Sequence, residues 1–98
     1  MTTYQLRRYE LEPQTAQEFV DWVVKTVIPL REAMGYKVHW RFLAEDKTEF
    51  IWLVSSNVSP EEFEAKDKAW MASPERAEAV VNMPASLLAV HIKFVNVV

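Results

Sequence analysis

The sequence predicts an α+β domain: one four-stranded antiparallel sheet with helices on one face, in the order strand, helix, strand, strand, helix, strand. Three observations predict it. Apolar residues alternate or run together in three segments of strand length, residues 36–45, 48–55 and 87–95. Two stretches, beginning near Thr15 and Ser59, carry helix-start chemistry followed by apolar residues at helical spacing. The five prolines and the single glycine mostly mark segment edges.

Tyr4 to Glu12 reads as the first strand. Tyr4 and Leu6 share one face and Tyr9 and Leu11 the other, so the strand either bulges or is covered on both sides. Pro13 ends it. Thr15-Ala16-Gln17-Glu18 has the form of a capping box, in which the hydroxyl and the carboxylate satisfy free backbone donors. Phe19, Trp22, Val23 and Val27 follow at helical spacing. Pro29 has no N–H for the carbonyl of Lys25, which predicts a kink or break. Leu30 to Met34 resumes the helix, and Gly35 ends it in a left-handed conformation.

Tyr36 to Glu45 alternates. Tyr36, Val38, Trp40, Phe42 and Ala44 are expected on one face, with Lys37, His39, Arg41, Leu43 and Glu45 on the other. Asp46-Lys47 turns the chain into a returning strand, Thr48 to Ser55. Ser59-Pro60-Glu61-Glu62 starts the next helix with a cap, a first-turn proline and acids. Phe63, Trp70 and Met71 form its apolar side. Ser73-Pro74-Glu75 starts a shorter helix through Val81, and Leu87 to Val95 is the last strand. This is the ferredoxin-like split βαβ arrangement, with an expected sheet order of 4-1-3-2.

The sheet carries apolar side chains on both faces. Phe50-Ile51-Trp52-Leu53-Val54 is continuous, and the last strand repeats the pattern. Helices on one face leave the other uncovered, and a wet face would alternate with polar residues. The expected cover is the same sheet of a second copy. That predicts a homodimer in which two sheets form a dimeric α/β barrel.

Composition narrows the functions. With 98 residues, half of them apolar, the chain is a single domain, residues 1–98, with ample core. The absence of cysteine excludes disulfides, thiolate metal sites and a cysteine nucleophile. Eleven basic and fourteen acidic side chains force no basic face, so no nucleic-acid partner is expected. No apolar run reaches about 18 residues, so no membrane span is expected. Met1 to Arg8 has no apolar signal core, and the cytoplasm is the default location.

In this order, Tyr4-Gln5-Leu6-Arg7, Leu11-Glu12-Pro13, Ile28-Pro29-Leu30-Arg31 with Gly35, the hairpin Val38 to Val54 and Ala72-Ser73-Pro74-Glu75 resemble the NIPSNAP-type group of dimeric α/β-barrel proteins. Arg76 and Val54 stand where relatives often carry an aromatic. The resemblance implies the barrel dimer independently of the burial pattern. It supplies no catalytic residues. The wider superfamily includes cofactor-independent monooxygenases on aromatic polyketides, haem-degrading enzymes and lactone isomerases.

The candidate ligand-binding residues are Tyr9, His39, Arg41 and Trp52. If His39 with Arg41, or Arg7 with Tyr9, line a cavity, they would bind a carboxylate or phenolate through a bidentate guanidinium. The competing expectation for the second strand is a charged edge face in solvent, which discourages sheet aggregation. Trp52 and the other three tryptophans suit either an aromatic box or plain core. His39 and His91 fall on opposite edge strands, roughly 14 Å apart by strand spacing, which excludes a shared metal within one chain. No histidine on the second helix supplies a haem ligand. Glu61, Glu62, Glu64 and Asp67 read as a solvated helix face. Ser59 reads as a cap, and one glycine leaves no phosphate loop. The expected protein is thus a NIPSNAP-like homodimer without a cofactor, binding a small apolar or aromatic molecule. The alternative is a cofactor-independent monooxygenase or isomerase on an aromatic or polyketide-like substrate, positioned and proton-shuttled by Arg41, His39 or Tyr9.

Overall fold

The computed structural model describes all residues, Met1 to Val98. Strand β1 spans Thr3–Leu11, β2 Lys37–Leu43, β3 Glu49–Ser56 and β4 Leu87–Val95. They form one antiparallel sheet in the order β2-β3-β1-β4, as the sequence predicts. Helix α1 (Ala16–Trp22) runs through a wide turn, Val23–Val27, into α2 (Ile28–Ala33); α3 (Pro60–Met71) and α4 (Pro74–Val80) follow β3. One core joins Phe19, Val23, Val27, Phe63 and Trp70 of the helical layer to Tyr9, Leu11, Phe50, Trp52 and Val54 of the sheet. The helices therefore cover a single face. None is long and apolar enough to cross a membrane.

β1 alternates without a break. Thr3, Gln5, Arg7, Tyr9 and Leu11 are buried toward the helices, and the residues between them are half-buried on the outer face. The apparent phase shift arises because polar Gln5 and Arg7 occupy core-facing positions ahead of Tyr9. The register slip on this strand is against β4, where Glu10 faces Ala89 and Leu11 faces Leu87, leaving Leu88 unpaired.

Three local expectations are corrected. Thr15 makes no helix cap. A 3₁₀ turn, Pro13–Thr15, precedes α1, and the Thr15 hydroxyl donates instead to the Ala85 carbonyl at 3.0 Å. Pro29 does not break the helix. The turn ahead of it widens to i→i+5 bonding, with the Ile28 N–H reaching the Val23 carbonyl, which makes room for the proline ring. β2 does not alternate throughout. Between Val38 and Trp40 it takes two steps for one on β3, so His39 is a bulge residue. The bulge moves Trp40 and Phe42 to the outer face, in ring contact at 5.1 Å, and turns Arg41 to the face of its partner Trp52. His39 and Arg41 thus lie on opposite faces.

The remaining punctuation is as predicted. Ser59 accepts from the Glu62 N–H and Ser73 from the Arg76 N–H, capping α3 and α4. Gly35 has φ +91°, and a Cβ there would meet Lys66 Nζ at 3.1 Å.

Candidate functional site

Between the β1–β4 half of the sheet and helices α1, α3 and α4 lies a partly open cavity of about 340 Å³. Its walls are mainly apolar, from Phe19, Val23, Trp70, Met83, Val90 and Ile92; one end is polar, with Arg7, Tyr9, Arg31, Trp52 and Asp67, and Arg76 also lines it. The volume lies at the small end of the range for ligand pockets.

The register builds the sheet side of this polar end. Arg7 pairs with Trp52 on β3 and Ile92 on β4, and Tyr9 pairs with Phe50 and Val90, so five of the lining side chains come from adjacent positions on one face. The helices bring Arg31 from α2 and Asp67 from α3. Arg31 is 2% exposed and Arg7 8%, although a buried arginine normally needs a partner for its charge.

The partner is Asp67. Its Oδ1 accepts from Arg31 Nη1 at 3.2 Å and from the Tyr36 hydroxyl at 2.8 Å; its Oδ2 accepts from Gln5 Nε2 at 3.1 Å and lies 4.0 Å from Arg7 Nη1. Arg7 donates from Nη1 to Gln5 Oε1 at 2.7 Å and from Nε to the Tyr9 hydroxyl at 2.9 Å. Aromatic rings pack around both cations. Arg31 lies 5.0 Å from the Tyr36 ring centroid, 5.6 Å from Trp52 and 5.4 Å from Trp70; Arg7 lies 5.6 Å from Tyr9 and 5.4 Å from Trp52. Burial, then the charge of Arg7, pulls the Arg31 guanidinium below its ordinary pKa. Burial, then the bond to Asp67, raises Tyr36 well above the usual phenol range and keeps it a neutral donor.

The network is unbalanced. Two guanidiniums face one carboxylate, and Arg31 Nε and Trp52 Nε1 are buried with no acceptor. Every unmet group is a donor.

Of the residues singled out in the sequence, the structure brings Tyr9 and Trp52 together in the cavity wall. It leaves His39 and Arg41 outside. His39 lies on the outer face, 2.6 Å from the Ser55 hydroxyl, with its ring tilted against Tyr4 at 5.5 Å between centroids. Desolvation, then the charge of Lys37, lowers its pKa. Arg41 is exposed on the edge strand β2, two strands from β1. The solvated reading of Asp67 is also corrected. Phe63, Asp67 and Trp70 are spaced i, i+4 and i+7, so Asp67 sits on the buried stripe of α3, while Glu61, Glu62 and Glu64 are exposed. The same spacing was available for Arg31, four residues after Val27 and eight after Val23.

No protein-family model matches the chain, and no curated protein sequence matches it. Solved structures do. A NIPSNAP-like domain protein from Burkholderia xenovorans superposes with a TM-score of 0.82 at 20% identity, over 99% of this chain and 85% of that one. A NIPSNAP family protein from Agrobacterium tumefaciens gives 0.83 at 9% identity, over 98% and 92%. The chain is NIPSNAP-like in fold. A candidate antibiotic biosynthesis monooxygenase from Bacteroides thetaiotaomicron is more distant than these NIPSNAP proteins, with a TM-score of 0.69 at 13% identity over 97% and 88%.

Proposed function

We propose that this NIPSNAP-like protein is a cytoplasmic homodimer that binds one small, largely apolar or aromatic molecule per subunit in the cavity between sheet and helices. The cavity carries the reading: apolar walls give affinity, and a few convergent polar groups give orientation. The outer sheet face supports the dimer. Phe42 is 60% exposed and Trp40 38%, beside half-buried Leu6, Ile51 and Leu53. The Arg8–Glu49 ion pair and the Glu10–His91 hydrogen bond, each at 2.6 Å, stand along the same face. A second copy would cover the apolar part. Isothermal titration calorimetry with naphthalene derivatives tests binding, and light scattering tests assembly. Saturable binding by a protein of twice the chain mass is expected. Absence of heat with every naphthalene derivative at millimolar concentration would refute the binding role, and a monomer at tens of micromolar would refute the dimer.

Tyr9 favours a second reading, a cofactor-independent oxygenase or isomerase, because its hydroxyl stands in the cavity wall, held by Arg7 Nε. There the substrate supplies the carbanion and Tyr9 moves a proton. Oxygen uptake with an enolisable aromatic ketone, abolished in Tyr9→Phe, is the expected signature. Equal rates with and without protein would refute turnover of that class.

A further inference from the structure

We infer that the polar end of the cavity is an anion subsite, and that the ligand is a compact apolar or aromatic carboxylate whose charged group sits against Arg7, Arg31 and Trp52. The inference rests on the cavity being a ligand site and adds the charge and orientation of the ligand.

Donor chemistry carries it. Arg31 Nε and Trp52 Nε1 are buried without acceptors. The terminal Nη2 of either arginine enters no hydrogen bond, and the Tyr9 hydroxyl accepts from Arg7 while its own proton has no acceptor. Buried donors without acceptors are rare in folded chains. The two residues that carry them, Arg31 and Trp52, both line one cavity. A carboxylate is an acceptor-only group with about four lone-pair sites and matches such a set. An alcohol, amide or ammonium would bring further donors to a place already short of acceptors.

Charge points the same way. Two buried guanidiniums and one carboxylate leave one positive charge in the network. A bound anion balances it, and Arg76, the remaining polar residue of the lining, adds a further cation at the cavity wall. Those walls, Val23, Val90, Ile92 and Phe19, lie beside the polar end and suit the hydrocarbon part of the same molecule. Asp67 is already engaged by Arg31, Tyr36 and Gln5, which holds Arg31 in place and leaves its other edge free. The structure thus presents a fixed fork rather than a flexible surface cation.

The test is calorimetry on the intact protein with two probes of one shape, 2-naphthoate and 2-naphthamide, near neutral pH. The acid is expected to bind about ten- to a hundredfold more tightly than the amide, the range for a charge-assisted contact. Trp52→Phe removes the indole N–H together with part of the ring, a loss of shape that both probes feel alike. It should weaken the naphthoate by a larger factor than the naphthamide. Equal affinities for the two probes in the natural chain would overturn the anion subsite and leave the binding cavity standing. Failure of both to bind would overturn the subsite together with the cavity reading. Loss of both probes equally in Trp52→Phe would overturn the role of the indole N–H. The comparison within the natural chain needs no variant to fold.

Discussion

Replacing Asp67 by Asn should destabilise this protein by about 3 kcal/mol. Asp67 is the one acidic group that reaches both buried arginines, and it accepts from Arg31, Tyr36 and Gln5. Asn keeps the shape. With its oxygen at the Oδ1 position it still accepts from Tyr36 and Arg31, but its NH₂ then meets the Gln5 NH₂ and faces Arg7. The negative charge is lost, so two cations near the Trp52 ring have no counter-charge. Breaking a buried ion pair by removing one partner costs about 3–5 kcal/mol. The Asp67 side chain is 22% exposed, so water reaches one side and the low end of that range applies. For a domain of this size that corresponds to a fall in Tm of roughly 12–24 °C. In urea the midpoint should drop by roughly 1–3 M with an unchanged slope. Urea unfolding of both proteins followed by tryptophan fluorescence measures it. A loss below about 1 kcal/mol with equal slopes would refute the view that Asp67 neutralises the two arginines.

Gly35→Ala should cost about 1–2 kcal/mol, since φ +91° places a Cβ against its own backbone and against Lys66 Nζ at 3.1 Å; a change within 0.5 kcal/mol in urea melts would contradict this (~0.5 kcal/mol being the surface norm). His39 should titrate below its ordinary 6.5 in an NMR pH series, because burial disfavours the cation. With the folded pKa lowered, its contribution to stability is present above about 6.5 and declines as pH falls through the folded midpoint. A midpoint at or above 6.5 would contradict the placement of His39 against Ser55 and Tyr4. Phe42→Asp should convert a dimer to a folded monomer in light scattering, because burying a charge where a phenyl stood loses about 2 kcal/mol or more per subunit; an unchanged dimer would move the interface off the outer face.

Much of this architecture was legible because period-two alternation, caps and proline positions are local. Strand order, helix order and the ends of β4 follow from them. What the sequence hid is non-local. The His39 bulge is visible only once β2 is paired with β3, and it reverses every later side chain on that strand, including Arg41. The widened turn before Pro29 is one of two solutions to a missing N–H, and packing chooses between them. Tyr9 and Trp52 could be singled out as aromatics that suit a cavity. Arg31 and Asp67 could not be chosen by charge, because charge normally marks solvent. Their helical spacing from Val27 and Phe63 was the available signal, and it means a buried pair only where each finds the other across α2 and α3.

The most direct test is a crystal structure of the protein grown with 2-naphthoate. The ring system should lie against Val23, Val90 and Ile92, with a carboxylate oxygen about 3 Å from a nitrogen of Arg31 or Arg7. A naphthoate bound with its carboxylate in solvent, or seated only on the outer sheet face, would contradict the account.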